Sequence, residues 1–166
     1  MLRHFQGDVV SYEALLQKLE RKELDGLYVL NADPEATFLA DLAAKTASLK
    51  LLIVQDLLAS PLSDQAHFVF AGTAWAEKDG TFINHQGLAQ AIHRGLRGPG
   101  DSRPDGRILW DLNQRTGLFH PATIRRELAG EIPELAPLIL GDLGEQGVML
   151  ESAAANASKK AELQPA

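Results

Sequence analysis

The chain has no cysteine. That one absence removes disulfides, thiolate nucleophiles, iron–sulfur ligation and thiolate zinc sites from its own chemistry. Positive charge is also in short supply: 16 Lys and Arg stand against 22 Asp and Glu, a formal net charge of −6. Phosphate backbones and anionic lipid surfaces want a basic face, so neither nucleic acid nor direct membrane docking is expected. Long apolar runs are missing as well. Stretches such as "LKLLIV" fall far short of the ~20 residues that cross a bilayer, and "MLRHFQGDVV" has no apolar core of signal-peptide length. These absences predict a cytoplasmic protein, peripheral to a membrane only through partner subunits.

What remains is an ordinary globular composition, with 45% hydrophobic residues over 166 positions. That is enough for one domain with a core and too little for two. The expected organisation is a single domain over residues 1–150 and a polar, aperiodic tail, "ESAAANASKKAELQPA", over 151–166 that reads as disordered.

The patterning predicts an α/β domain with a small, mainly parallel sheet and flanking helices. Ser11 is placed to cap a helix with Tyr12, Leu15, Leu16 and Leu19 on one face. "LYVLN" (27–31) reads as a buried strand. Asp33, Pro34 and Glu35 make a strong helix start before Phe38, Leu39, Leu42 and Ala43. "LKLLIVQD" (49–56) is a second strand, so the unit is βαβ with a right-handed crossover. "HFVFAG" (67–72) is a third strand. Asp79-Gly80 reads as a hairpin turn leading into Thr81, Phe82 and Ile83, with Trp75 and Phe82 in the core. "LAQAIHRGL" fits strand or helix. "RGPGDSRPDG" is a loop whose arginines face an anionic ligand, an acidic partner or solvent. Helices are expected over 107–117, ended by Gly117, and over 121–135, with Ile124, Leu128 and Ile132 inward; both pack on the sheet.

Candidate sites belong at the carboxyl ends of the strands, where open α/β sheets bind ligands. Asp56 ends the second strand, where dinucleotide folds keep an acid for a ribose hydroxyl. The first turn has no G-x-G-x-x-G, and Asp33 at the helix start repels a phosphate. Ser60 and Ser63 lack a G-x-S-x-G context. The histidines (4, 67, 85, 93 and 120) have no metal-ligand spacing, so neither a catalytic residue nor a metal site is predicted. Glu77 and Asp79 are a carboxylate pair, read as solvated beside Lys78.

The order of these segments resembles the third domain of the molybdopterin oxidoreductase family. "LYVLNADPE" stands where that family has a strand and a Gly-x-Asn-Pro-like turn. "HFVFAG" stands for Ala-Asp-Val-Val-Leu-Pro, and "EKDGTFINHQGLAQ" for Glu-x-x-Gly-Thr-x-x-Asn-x-Glu-Gly-Arg. Glu77, Gly80, Thr81, Asn84, Gly87 and Gln90 match in order. "EKDGTF", "RRELAGEIPELAPL" and "LGDLGEQGVML" most resemble the closing part of the large iron–sulfur subunit of bacterial NADH:quinone oxidoreductase, respiratory complex I. The resemblance covers about residues 24–150.

It implies a vestigial cofactor site at Asn31, Asp56, Glu77 and Asn84, with no cofactor held by this chain. Where the family has an acid, a Leu-Pro and a Glu-Gly-Arg, this chain has His67, Phe70-Ala71 and Gln86-Gly87-Leu88. The implied role is structural: an assembly domain of the large subunit, in contact with other respiratory subunits and without a redox centre of its own. The first alternative is a fragment of a molybdenum oxidoreductase that binds molybdopterin guanine dinucleotide. The second is a free-standing interaction module. The lack of the family's earlier domains reads as a fragment or a split gene product.

Overall fold

The computed structural model describes residues 8–30, 38–139 and 142–150. The first helix, α1, runs Tyr12–Glu20, and the Ser11 hydroxyl accepts from the Ala14 N–H at 3.2 Å, the expected cap. Strand β1 (Gly26–Leu30), helix α2 (Phe38–Lys45) and strand β2 (Leu51–Asp56) form the expected βαβ unit. A 3-10 turn at Ser63–Gln65 then leads to β3, Phe68–Ala71. The three strands pair in parallel in the order β1-β2-β3. Their register puts Tyr28, Ile53 and Phe68 in one row and Leu30, Gln55 and Phe70 in the next.

The core of this half lies on one side of the sheet. Leu19 of α1 and Leu39, Leu42 and Ala43 of α2 pack with Leu49, Leu52, Val54 and Leu62. His67 sits at the start of β3, where its Nδ1 accepts from the Leu52 N–H at 3.0 Å. The side chain that replaces the family's acid therefore ties β3 to β2. The helix start at Asp33, Pro34 and Glu35, the candidate Asn31 and the tail 151–166 lie outside the described residues.

A second sheet, antiparallel and ordered β4-β5-β6, does not follow from the sequence pattern. Its strands are β4 (Gly80–Ile83), β5 (Leu88–Ile92) and β6 (Val148–Met149). The ambiguous "LAQAI" is thus a strand. The hairpin turn falls at Asn84–Gly87, and Asp79-Gly80 leads into β4. Gly87 has φ +87°, a left-handed conformation that the expected Asp-Gly turn would have placed at Gly80. Trp75, in a 3-10 turn at Trp75–Glu77, is 69% exposed, and Phe82 is 51% exposed, so neither is core.

Helix α3 runs Asp105–Leu112 and stops five residues before Gly117, with Asn113 as its cap. Helix α4 runs Pro121–Glu131 with proline at its start, followed by a 3-10 stretch over Pro133–Ile139. Ala129, Leu135, Leu138 and Leu143 pack with Ala89 of β5, so α4 belongs to the antiparallel sheet and not to the parallel one. Its buried positions are Arg125 and Ala129, while Leu128 is 40% exposed. The inward face is therefore turned by one residue from the Ile124–Leu128–Ile132 stripe. Those isoleucine and leucine side chains edge a groove of about 410 Å³ between β4 and α4 or join the second core at its rim.

Candidate functional site

The carboxyl ends of the parallel strands meet the start of α3 and the segment leading into β4. Gln55, the next-to-last residue of β2, is fully buried. Its Oε1 accepts from the Tyr28 hydroxyl on β1, and its Nε2 donates to Asp105 Oδ1 at 2.7 Å. The other carboxylate oxygen of Asp105 accepts from the Lys78 ammonium. A continuous polar chain, Tyr28–Gln55–Asp105–Lys78, therefore joins the two sheets. Burial, and next the Asp105 carboxylate, push the Tyr28 phenol above its ordinary pKa. Gly72 makes room for the chain: a Cβ there would come within 3.0 Å of Asp105 Oδ1.

Asp56 is buried beside this chain. Its Oδ1 accepts from the Leu57 N–H at 2.6 Å, and its carbonyl accepts from the Gly72 N–H at 2.9 Å. Glu77 is turned back onto its own segment, where Oε2 accepts from the Ala74 N–H at 2.9 Å. Thr73, Glu77 and Ser102 all converge on the space above Gly98. Asp79 is exposed and takes the Arg94 N–H instead. The pair Glu77 and Asp79 thus serve different backbone partners. Asn84 is exposed, and its Oδ1 accepts from the N–H groups of Gln86 and Leu88 at 2.9 and 3.0 Å.

Asp56 and Glu77 are therefore brought to the same end of the parallel sheet. Asn84 is not, because β4 carries it about 13 Å farther along at the usual strand rise. The sequence alone does not single out Gln55, Asp105 or Lys78 as a constellation. One signal is present: a glutamine inside the apolar run "LLIVQD" must find partners when the strand is buried.

A pterin guanine dinucleotide presents a pyrophosphate, which calls for cations and unpaired N–H groups. Lys78 is engaged by Asp105, and Asp56 and Glu77 add negative charge at the same place. The described strand-end residues do not fit a pyrophosphate by themselves. Among the described residues no group of three or more His, Asp or Glu is arranged to hold a metal ion. Nor is any described helix long and apolar enough to cross a membrane.

A family model, described as "Molybdopterin oxidoreductase", matches residues 6–115. The chain belongs to the molybdopterin oxidoreductase family. Members similar to it include the NADPH-Fe(3+) oxidoreductase subunit alpha of Geobacter sulfurreducens, 34% identical over 128 residues, which are 74% of this chain and 15% of that protein. The F420-dependent formate dehydrogenase 1 subunit alpha of Methanococcus maripaludis is 36% identical over 107 residues, 61% of this chain and 16% of the relative. The putative formate dehydrogenase YrhE of Bacillus subtilis is 29% identical over 131 residues, 74% of this chain and 13% of the relative. The chain spans about 15% of the length of the first of these relatives. Two of the three are named as subunits of larger oxidoreductases.

Proposed function

We propose that this chain is a scaffolding lobe of the large subunit of a multi-subunit oxidoreductase of the formate dehydrogenase kind. The observation that carries the reading is the closed polar chain Tyr28–Gln55–Asp105–Lys78 at the strand ends. Groups that a ligand would need are spent on joining the two sheets. The site residues Asp56, Glu77 and Asn84 hold backbone N–H groups in the same way. In this reading the lobe shapes and braces its subunit, and electrons pass through centres that other polypeptide supplies.

Two further readings each have an observation in their favour. "EKDGTF" and "RRELAGEIPELAPL" favour the large subunit of an NADH:quinone oxidoreductase, in which the same bracing role would serve electron transfer from NADH to quinone. The formate dehydrogenase relatives and the strand-end acid Asp56 favour a lobe that helps hold molybdopterin guanine dinucleotide.

Purification of the tagged chain from its source organism, with metal and pterin analysis, separates the three. Scaffolding predicts co-purification with a larger family polypeptide, and neither molybdenum nor pterin on the chain once it is separated from that polypeptide. Stoichiometric molybdenum and pterin retained by the separated chain would overturn it. Formate-dependent dye reduction by the eluate supports the formate dehydrogenase setting. NADH–quinone activity with respiratory subunits supports the other.

A further inference from the structure

A parallel sheet is normally covered on both faces. Here the described residues cover only one. Right-handed crossovers that step in one direction, β1 to β2 to β3, put every connection on the same side of the sheet. Helix α2 accordingly shares one core with Leu52 and Val54, and α1, which precedes β1, packs into the same core through Leu19. On the opposite face α3 reaches only the corner at Gln55 and Phe70. Among the described residues the rest of that face is apolar and open: Tyr28 is 37%, Leu30 56%, Leu51 40% and Phe68 57% exposed, with half-buried Ile53 at the centre.

Geometry limits what fits there. Three strands span two gaps of about 4.8 Å, a face roughly 10 Å wide, which is the width of one α-helix. The row from Leu51 to Gln55 is about 13 Å long, enough for some nine helical residues. The open apolar area is on the order of 350 Å², well under the ~800 Å² per partner that a stable dimer needs. Two copies would also each bring a net charge of −6. A second copy of this chain is thus the poorer occupant. The first relative named above has about 85% of its length outside the matched region, since the match covers 15% of it.

We infer that this face is the seat of one amphipathic helix from the remainder of a molybdopterin-oxidoreductase-family subunit. The helix presents a leucine-rich stripe at i, i+3, i+4 and i+7 across Tyr28, Ile53 and Phe68, and lies with its polar side outward. The inference rests on family membership and on the sheet's topology, not on which reaction the subunit serves.

Photo-crosslinking in the source organism tests it. Benzoylphenylalanine is placed at Leu30, at Phe68 and, as a control, at exposed Glu23, and adducts are sequenced by mass spectrometry. The expected adduct at 30 and 68 is a peptide of a family polypeptide with that apolar spacing, at least tenfold above the yield at 23. Adducts to a second copy, a peptide without the stripe, equal yield at Glu23 or no adduct at all would each overturn the inference. In parallel, the double variant Leu30→Asp, Phe68→Asp should leave the melting of the free chain unchanged while recovery with the larger polypeptide falls at least tenfold. Unchanged recovery would overturn the inference. If the variant does not fold, the crosslinks at 30 and 68 decide alone. Metal and pterin content is a separate readout, so failure here is distinguishable from failure of the scaffolding reading.

Discussion

Replacing Asp105 by alanine removes the centre of the chain that joins the two sheets. Gln55 is fully buried and gives its amide to Asp105 at 2.7 Å, so its donor would be left without a partner. A hydrogen bond from a buried amide to a charged acceptor is worth about 1.5–3 kcal/mol. The Lys78–Asp105 pair has side chains 20% and 30% exposed. It lies between the surface and buried cases, so its loss adds about 1–2 kcal/mol after solvent screening. Asp105 is also the first residue of α3, where its charge favours the helix dipole by roughly 0.3–1 kcal/mol. The expected loss is about 3–6 kcal/mol, a large part of the ~5–15 kcal/mol that holds a domain together.

Urea unfolding followed by circular dichroism measures this, and a double-mutant cycle with Gln55→Leu isolates the buried bond. Tyr28 is open enough to bond water once Gln55 is gone, so Gln55→Leu leaves no new orphan on β1. The coupling should be about 1.5–3 kcal/mol. Asp105→Asn keeps an acceptor and loses the charge, so it should fall between wild type and Asp105→Ala. A coupling below about 0.5 kcal/mol would show that the two residues are merely adjacent. Equal stability of the Asn and Ala variants would show that the acceptor is not what matters.

Three other outcomes are expected. Gly106 lies in α3, and an added Cβ would collide with the Phe119 ring. Gly106→Ala should therefore cost about 1–2 kcal/mol although helix propensity alone favours alanine by ~1 kcal/mol; in a Phe119→Ala background the sign should reverse, as thermal melts will show. Asn84→Ala removes the acceptor for two turn N–H groups and should cost about 0.5–1.5 kcal/mol in urea, while Asn84→Asp should stay near wild type. Glu127 is held below its ordinary pKa, first by the hydrogen bond from Arg115, so the pair stabilises at neutral pH. That contribution should fade as pH drops below about 4.3, the usual glutamate value, through the lowered folded value. The difference between wild type and Glu127→Gln in urea should accordingly be larger at pH 7 than at pH 3.

The parallel half of the fold is readable because its signals are local. "LYVL", "LLIVQD" and "FVFA" are short apolar runs, and Ser11 has a one-residue capping signature that the Ala14 N–H satisfies. The antiparallel half is harder because its order depends on contacts across the chain. Asp79-Gly80 is the stronger turn dipeptide, yet Asn84 wins because its side chain accepts from the N–H groups of Gln86 and Leu88. Strand β6 pairs only with Leu88 and Ala89 and is two residues long, so no periodicity could announce it. The stripe of α4 misleads by one residue because Arg125 is buried beside Thr81, with its guanidinium 3.4 Å from the hydroxyl. No sequence rule puts an arginine inside in place of an isoleucine. Asp56 is legible as a strand-end acid. The Gln55–Asp105 contact spans 50 residues and is not.

The same contacts explain how a family motif persists here in altered form. Within "EKDGTFINHQG", Glu77 accepts from Ala74, Asn84 accepts from Gln86 and Leu88, and Gly87 takes the left-handed conformation that closes the turn. Gln86 and Leu88 bond the turn through the main chain: both N–H groups donate to Asn84 Oδ1, and the Leu88 carbonyl accepts from the Asn84 N–H. Their side chains can therefore differ from the acid and the arginine of the resemblance without disturbing the hairpin. His67 follows the same logic, since its Nδ1 accepts the Leu52 N–H as an acid oxygen would. Four of the six matching positions, Glu77, Thr81, Asn84 and Gly87, are thus ones whose side chain or φ angle the fold itself uses. At three of the departures, Gln86, Leu88 and His67, the hydrogen bond uses the main chain or a single acceptor. A ligand at Glu77 would have to take its carboxylate from the Ala74 N–H, and one at Lys78 would have to break the bond that links the sheets.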